Sequence, residues 1–255
     1  MLVIAIYLAA IGFVHSMVSG VDILAISEIW PFILLSFMGQ LLYGSCLAAT
    51  LKRGDLSVYY PIIRASPIFI VSYSFLFLGK RYDLILLLGI AMVLTGVFLL
   101  LYRRNSALLN DPVAFLLAVV AMCGTGIYSL ADALIVQSVA PQVLFFWVEI
   151  LLIPAYLILY RVTGKAVPRY CGLSRIIERP FFYSLIGGMV YSSYFLILYA
   201  YELGGEVAAV TSIRQASIPL SVIIGGYFLR EGAILRRLFA ALILSYGIVV
   251  IISSQ

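Results

Sequence analysis

The chain has 255 residues, of which 64% are hydrophobic and 11% are charged, and its mean hydropathy is +1.16. A typical soluble domain carries about 25% charged residues, so this composition excludes an ordinary water-soluble protein and favours a lipid bilayer as the surrounding medium. The formal net charge of +5 does not indicate nucleic-acid binding, because in such a chain it reflects loop charges that orient the helices.

Continuous apolar runs of roughly 20 residues predict helices, since strands of a membrane barrel would alternate over about ten residues. We predict an all-α, polytopic membrane helix bundle with nine spans. In chain order the spans are 1–18, 30–51, 57–78, 82–102, 112–137, 142–160, 180–201, 207–229 and 234–252. The loops between them are short, so consecutive helices should be antiparallel neighbours.

Basic residues are distributed unevenly between the two predicted sides of the membrane. Apart from Arg64 and Arg214, which lie within spans, 12 of the 14 basic residues fall on one side, and only Lys80 and Arg81 fall on the other. The positive-inside rule places the larger set in the cytoplasm. We therefore predict a multi-pass protein of the cytoplasmic (inner) membrane, with the N-terminus inside and the C-terminus outside.

Two stretches resemble each other at an offset of 150 residues. The coinciding pairs are Gly54/Gly204, Ile63/Ile213, Arg64/Arg214 and Ile68/Ile218, with a proline close behind each arginine. The third span then pairs with the eighth, and because five spans separate them the two copies point in opposite directions, as in many secondary transporters. We predict an inverted repeat of five-helix units: 1–105 with four spans and 106–255 with five. The first helix of the first unit is expected to be missing, since 112–137 has no counterpart.

Residues 51–67, followed by 75–79, 88–89 and 94–96, resemble the most recognisable segment of EamA-type transporters of the drug/metabolite transporter superfamily, and 208–247 resembles its second copy. The similarity extends over nearly the whole chain. It departs at Gly79-Lys80, where the family usually has Gly-Glu. The resemblance implies ten helices around a central cavity and the transport of small metabolites or amphiphilic compounds.

The ionisable residues inside the predicted spans include His15, Arg64, Asp132, Glu149 and Arg214. A charge at membrane depth costs about 2.5–3.5 kcal/mol, so it normally faces a bundle interior or a wet cavity. At 1.5 Å per residue, Arg214, Glu149 and Asp132 fall in one half of the membrane, where they can pair. Arg64 falls in the other half without an acidic residue at its depth, and we predict that it binds a substrate carboxylate or phosphate.

Alternatives remain open for each of these charges. Arg64 could cap backbone carbonyls that Pro61 or Pro67 frees. Arg214 and Glu149 could form a purely structural pair, and Glu149 or Asp132 could relay protons. His15 lies near a span end and is expected to be an interfacial or packing residue.

Aromatic residues in the middle of spans suit a mostly apolar pocket with a few orienting hydroxyl groups, although an interfacial aromatic belt is the alternative. Together with the charged residues they give the predicted substrate-binding set: Arg64, Arg214, Tyr43, Tyr128, Asp132, Trp147, Glu149, Tyr191 and Tyr194.

No GxxxxGK[ST] loop, HExxH motif, paired aspartates or Ser/His dyad occurs, so neither ATP hydrolysis nor another enzymatic activity is expected. The three cysteines neither pair nor cluster with histidine, and we expect no metal and no cofactor. The sequence predicts a secondary transporter of a small-molecule substrate that works by alternating access. The alternative is a non-transporting or lipid-translocating subunit that works with a partner, and a homodimer stays open.

Overall fold

The computed structural model describes residues 2–24, 26–53, 56–101, 111–162, 180–217 and 234–253. Every regular element in these ranges is helical, which confirms the predicted all-α class. The elements are α1 (Leu2–Val18), α2 (Trp30–Arg53), α3 (Leu56–Arg64), α4 (Ser66–Phe77), α5 (Leu84–Leu101), α6 (Pro112–Ile135), α7 (Pro141–Val162), α8 (Pro180–Glu202), α9 (Val207–Ile213), a 3₁₀ turn (Arg214–Ala216) and α10 (Ile234–Ser253).

Among the described residues, the four helices α2, α6, α7 and α8 are long and apolar enough to cross a membrane. Shorter apolar helices lie in α1, α4, α5 and α10. The chain is therefore a helical membrane bundle, as its composition predicts. The count of nine spans stays a prediction.

Two predicted spans are not continuous helices. The prediction of one helical run over 57–78 was wrong, because the chain forms two helices there, α3 and α4, which are separated at Ala65. Pro67 lies near the start of α4 and has no N–H for the carbonyl four residues earlier, so the helix cannot continue through this point without losing a hydrogen bond. In the span 207–229, α9 ends at Ile213 and the 3₁₀ turn follows, while 218–229 lies outside the described residues.

The helices form two compact units. The first unit comprises Met1–Leu41 and Ile127–Gly204, and the second comprises Leu42–Gly126 and Gly205–Gln255. Because these boundaries cut α2 and α6, each of these two long helices contributes one part to each unit.

In the first unit, α1 packs against α7 and also contacts α8. Gly12 permits the close approach of α1 and α7, because a Cβ atom at this position would lie only 3.1 Å from both Gln142 O and Phe146 N. Gly187 of α8 has a similar role against Tyr7, where a Cβ atom would lie 3.0 Å from the Cβ of the tyrosine. Small residues are what membrane helices need for such close contacts.

In the second unit, α5 packs along α10 through glycines on both helices. A Cβ atom at Gly96 would lie 2.6 Å from Leu244 Cβ, and one at Gly247 would lie 2.8 Å from Val93 N. Val93 and Leu244 are fully buried at this contact. The same unit contains α3, α4, α9 and the 3₁₀ turn, so both interrupted spans belong to it.

Each unit combines helices from both predicted sequence repeats. α1 and α5 come from the first repeat, and their packing partners α7 and α10 come from the second. In the predicted repeat these are counterparts, because the first span pairs with the sixth and the fourth with the ninth. The division of the sequence at residue 105 stays a prediction about its internal duplication.

Candidate functional site

Asp132 is the centre of a polar cluster inside the first unit. It lies on α6 and is fully buried, with 0% of its surface exposed. Ser36 Oγ of α2 donates a hydrogen bond to Asp132 Oδ1, and the Tyr194 hydroxyl of α8 donates one to Oδ2. Both carboxylate oxygens therefore have a donor, which is the arrangement that a buried carboxylate requires.

Aromatic rings surround this carboxylate. The ring of Tyr194 meets those of Tyr128 and Phe145 edge to face, at centroid distances of 6.2 and 5.5 Å. Tyr191 lies 4.5 Å from Phe145 between ring centroids, and its hydroxyl group is 2.7 Å from His15 Nδ1. We call this set the Asp132 cluster, and its members are His15, Ser36, Tyr128, Asp132, Phe145, Tyr191 and Tyr194.

The Asp132 cluster draws on every helix of the first unit. His15 comes from α1, Ser36 from α2, Phe145 from α7, and the remaining members from α6 and α8. His15, which the sequence suggested as an interfacial or packing residue, packs against the rings of Tyr191 and Phe195 and also makes a hydrogen bond with the Tyr191 hydroxyl group. The arrangement combines apolar ring surfaces with a few fixed polar groups, which is typical of small-molecule sites.

Glu149 lies one helical turn after Phe145 on α7 and is 7% exposed. It makes no hydrogen bond and no ion pair with any residue that the structure describes. In the described part of the first unit, the single Lys or Arg residue is Arg161, at the end of α7.

Two other residues of the predicted substrate-binding set have different surroundings. Trp147 donates its indole N–H to Ile23 O at 2.8 Å, so this group holds the segment after α1. Tyr43 belongs to the second unit, where it is half-buried and packs against a core that contains Tyr59 and Ile63. Substrate binding by Trp147 and Tyr43 stays a prediction.

Arg64 ends α3 in the second unit, directly before the helix break. Its Nη2 donates a hydrogen bond to the hydroxyl group of Tyr60, one turn earlier, and its Cζ lies 4.8 Å from the centroid of that ring. No acidic residue in the described part of the chain pairs with Arg64. The two ion pairs found there join helix ends or loops: Arg53 with Asp111 at 3.9 Å, and Lys80 with Glu206 at 2.8 Å.

The carbonyl group of Arg64 is freed by the break and is bound by a side chain. Ile68 N donates to Ala65 O at 2.9 Å, so Arg64 O loses its helical partner. Gln215 Nε2, from the 3₁₀ turn, donates to Arg64 O at 3.3 Å. Gln215 therefore caps the carbonyl group of Arg64. Capping by the guanidinium group of the carbonyls that Pro61 or Pro67 frees stays an alternative.

Arg214 is half-buried and begins the 3₁₀ turn in the second unit, whereas Glu149 belongs to the first. Their predicted pairing stays a prediction. The ionisable groups of the spans are thus divided between the units: Asp132 and Glu149 lie in the first, and Arg64 and Arg214 in the second.

Comparisons with known proteins agree with this architecture. Residues 1–102 match the model of the EamA-like transporter family. The N-terminal part of the chain is EamA-like. This confirms, over these residues, the resemblance drawn from the sequence.

The fold of the chain also occurs in a solved structure. One described as "Crystal structure of protein" has a TM-score of 0.74 and 17% sequence identity, and the match covers 98% of this chain and 86% of that one. At this identity the similarity establishes the fold alone. A comparison with curated protein sequences finds no match.

The sequence did not identify all residues of these sites. Ser36, Tyr60, Phe145 and Gln215 were missed, because each is an uncharged residue in an apolar run, where serine, glutamine and aromatic residues are common. Gln215 had one usable signal, since it directly follows Arg214 in the repeated segment.

Proposed function

We propose that this EamA-like protein is a secondary transporter of the cytoplasmic membrane, and that it moves small metabolites or amphiphilic compounds by alternating access. The matched family supports transport as the general activity. The proposal extends that activity to the whole chain, including 106–255, which resembles the second five-helix unit of such transporters.

Arg64 is the observation that carries the proposal. Its guanidinium group lies at the end of an apolar helix and has a tyrosine as its hydrogen-bond partner instead of a carboxylate. A cation within a membrane-spanning segment is costly and is retained where it serves a pathway or a ligand. We propose that Arg64 binds an anionic group of the substrate through its planar guanidinium fork.

The interrupted helices support transport by alternating access. Both interruptions, at Ala65 and at the 3₁₀ turn that begins with Arg214, occur beside the arginines of the predicted repeat. Substrate sites of secondary transporters are typically built by discontinuous helices of this kind. In the first unit, the residues of the predicted substrate-binding set form a separate candidate site: Tyr128, Asp132, Glu149, Tyr191 and Tyr194.

The test compares two arginine variants, Arg64→Ala and Arg53→Ala. A screen for thermal stabilisation of the purified chain by amino acids, organic acids and phosphorylated metabolites first identifies a transported compound, and its uptake into proteoliposomes is then measured. We expect Arg64→Ala to reduce uptake to background while membrane insertion is unchanged. Arg53→Ala, which removes a half-exposed arginine from a helix end, should retain most of the uptake.

Two outcomes would contradict the proposal in different ways. Wild-type uptake by Arg64→Ala would remove Arg64 from the substrate site. If the purified wild-type chain bound compounds but transported none in sealed vesicles, the chain would instead be a non-transporting or lipid-translocating subunit that requires a partner.

A further inference from the structure

Two helices beside the breaks, α4 and α9, form an antiparallel pair within the second unit. They pack against each other, and a side-chain contact joins them at each end. At one end, Gln215 Nε2, which follows α9, donates to Arg64 O, which precedes α4, at 3.3 Å. At the other end, Lys80 Nζ, which follows α4, donates to Oε2 of Glu206, the residue before α9, at 2.8 Å. One end of the pair therefore lies at the helix breaks, and the other end is held by an ion pair.

The ion pair lies on the side of the membrane that the loop charges predict to be outside. Lys80 and Arg81 are the two basic residues predicted there, and Lys80 joins helices from different repeats. The side chains of Lys80 and Glu206 are 49% and 25% exposed, so water and salt reach both of them. A partly exposed pair shifts an equilibrium by about two- to fivefold, which biases two conformations without preventing their exchange.

Both partners of the ion pair follow glycines whose backbone is in the left-handed region. Gly79, directly before Lys80, has a φ of +63°, and Gly204, just before Glu206 in the same turn, has a φ of +89°. A Cβ atom at either glycine would meet no described atom within 4 Å, so packing does not hold the backbone at these points. Such positions at element ends absorb the backbone rotation when packed helices move apart.

The buried faces of the two helices carry hydroxyl groups. On α4 the buried residues include Ser66 and Ser74, and on α9 they include Thr211 and Ser212. Hydroxyl groups form hydrogen bonds with water when they become exposed, whereas leucine or phenylalanine side chains would expose apolar surface at a higher cost. The composition of these faces therefore favours helices that separate and pack again.

We propose that Lys80 and Glu206 form an outer latch, which holds α4 against α9 in this conformation and opens when the transporter faces outward. This inference rests on the proposed function, because alternating access requires a path that closes on one side while it opens on the other. Arg64 lies directly before the opposite end of the same helix pair, so the latch controls access from outside to the proposed anion site.

The experiment measures how fast a membrane-impermeant maleimide, added outside right-side-out vesicles, labels the thiol introduced by Ser74→Cys. Ser74 is 1% exposed, and its carbonyl oxygen accepts a hydrogen bond from Lys80 N at 3.0 Å, so the thiol lies close to the latch and reacts when α4 leaves its packing. Cys46, Cys123 and Cys171 are replaced by serine in every variant, so that the introduced thiol is the one that reacts.

Lys80→Gln and Glu206→Gln should each raise the labelling rate about two- to fivefold, because each removes the attraction across the latch. The charge exchange Lys80→Glu with Glu206→Lys restores a pair of opposite charges, and its rate should return to within about twofold of the rate for Ser74→Cys alone. Arg53→Gln, which removes another ion pair of the second unit, is the matched control and should leave the rate unchanged.

A second reporter distinguishes opening of the latch from loss of folded structure. Val93→Cys places a thiol in the fully buried contact between α5 and α10, and this thiol should stay unlabelled in every variant. If Lys80→Gln exposes both reporters, the ion pair stabilises the whole unit and the inference is wrong. Unchanged labelling of the Ser74→Cys reporter in both glutamine variants would also overturn it.

Uptake into proteoliposomes decides the proposed function separately from the latch. Uptake that requires Arg64, together with labelling that ignores Lys80 and Glu206, would remove the latch and leave the transporter. If α4 and α9 open as expected but the chain transports no compound, the proposed function fails and the latch stands.

Discussion

At the scale of single residues, Asp132 and Glu149 are two buried carboxylic acids with different surroundings. Asp132 accepts hydrogen bonds from hydroxyl groups on two other helices, whereas Glu149 has no such donor among the described residues. The sequence predicted that both acids lie inside spans, because that follows from the apolar residues on either side. It did not reveal their partners, because Ser36 and Tyr194 are 96 and 62 residues away from Asp132.

The hydrogen bond from Tyr194 to Asp132 gives a prediction about stability. Tyr194→Phe leaves one oxygen of the fully buried Asp132 without this donor, and we expect the free energy of unfolding to fall by about 0.6–2 kcal/mol. Thermal unfolding in detergent measures the change. Tyr199→Phe on the same helix is the matched control, because Tyr199 is 46% exposed, and its midpoint should stay at the wild-type value. An equal effect of both substitutions would show that the hydrogen bond to Asp132 contributes nothing measurable.

At the scale of elements, the contact between α5 and α10 shows which glycines serve helix packing. The sequence contains 20 glycines, and it does not distinguish those at helix contacts from the others. Gly96 lies against Leu244, whereas Gly188 of α8 has no atom within 4 Å of the position that its Cβ would take. Only the packing of the helices separates these two cases, since both glycines lie inside apolar helices.

The different surroundings of Gly96 and Gly188 predict that replacement by alanine has opposite effects on stability at the two positions. Gly96→Ala places a methyl group 2.8 Å from the backbone nitrogen of Leu244, and relieving this overlap should cost about 1–3 kcal/mol of folding stability. Gly188→Ala meets open space and should be neutral or stabilising by up to about 1 kcal/mol, because alanine favours the helix. Denaturation of both variants in the same detergent provides the comparison, and equal midpoints would argue against the α5–α10 contact.

The helix break was also only partly evident from the sequence. Pro67 made it possible to expect freed carbonyl groups near Arg64, and the structure contains the interruption at Ala65. The side chain that binds the carbonyl group of Arg64 at this break is Gln215, which lies 151 residues away. Local sequence thus indicated the defect in hydrogen bonding, and a long-range contact determined how it is compensated.

At the scale of the whole molecule, the distribution of basic residues gives a prediction about topology. With 12 basic residues assigned to one side and two to the other, a fluorescent protein fused after residue 105 should fluoresce in the cytoplasm. Alkaline phosphatase fused to the C-terminus should be active outside. Fluorescence from a C-terminal fusion instead would mean that the number of spans differs by one from the predicted nine.

The sequence by itself determined that this protein lies in a membrane, that it is helical, and where most of its helices begin and end. These properties follow from local composition, because about 20 consecutive apolar residues are enough to cross a bilayer as a helix. Tertiary structure alone decided the division of α2 and α6 between two units, the partners of Asp132, and the placement of Gln215 at the break beside Arg64. Each of these depends on contacts between residues far apart in the chain. Because most residues are apolar, many different helix pairings would be equally compatible with the bilayer, and the sequence does not single out one of them.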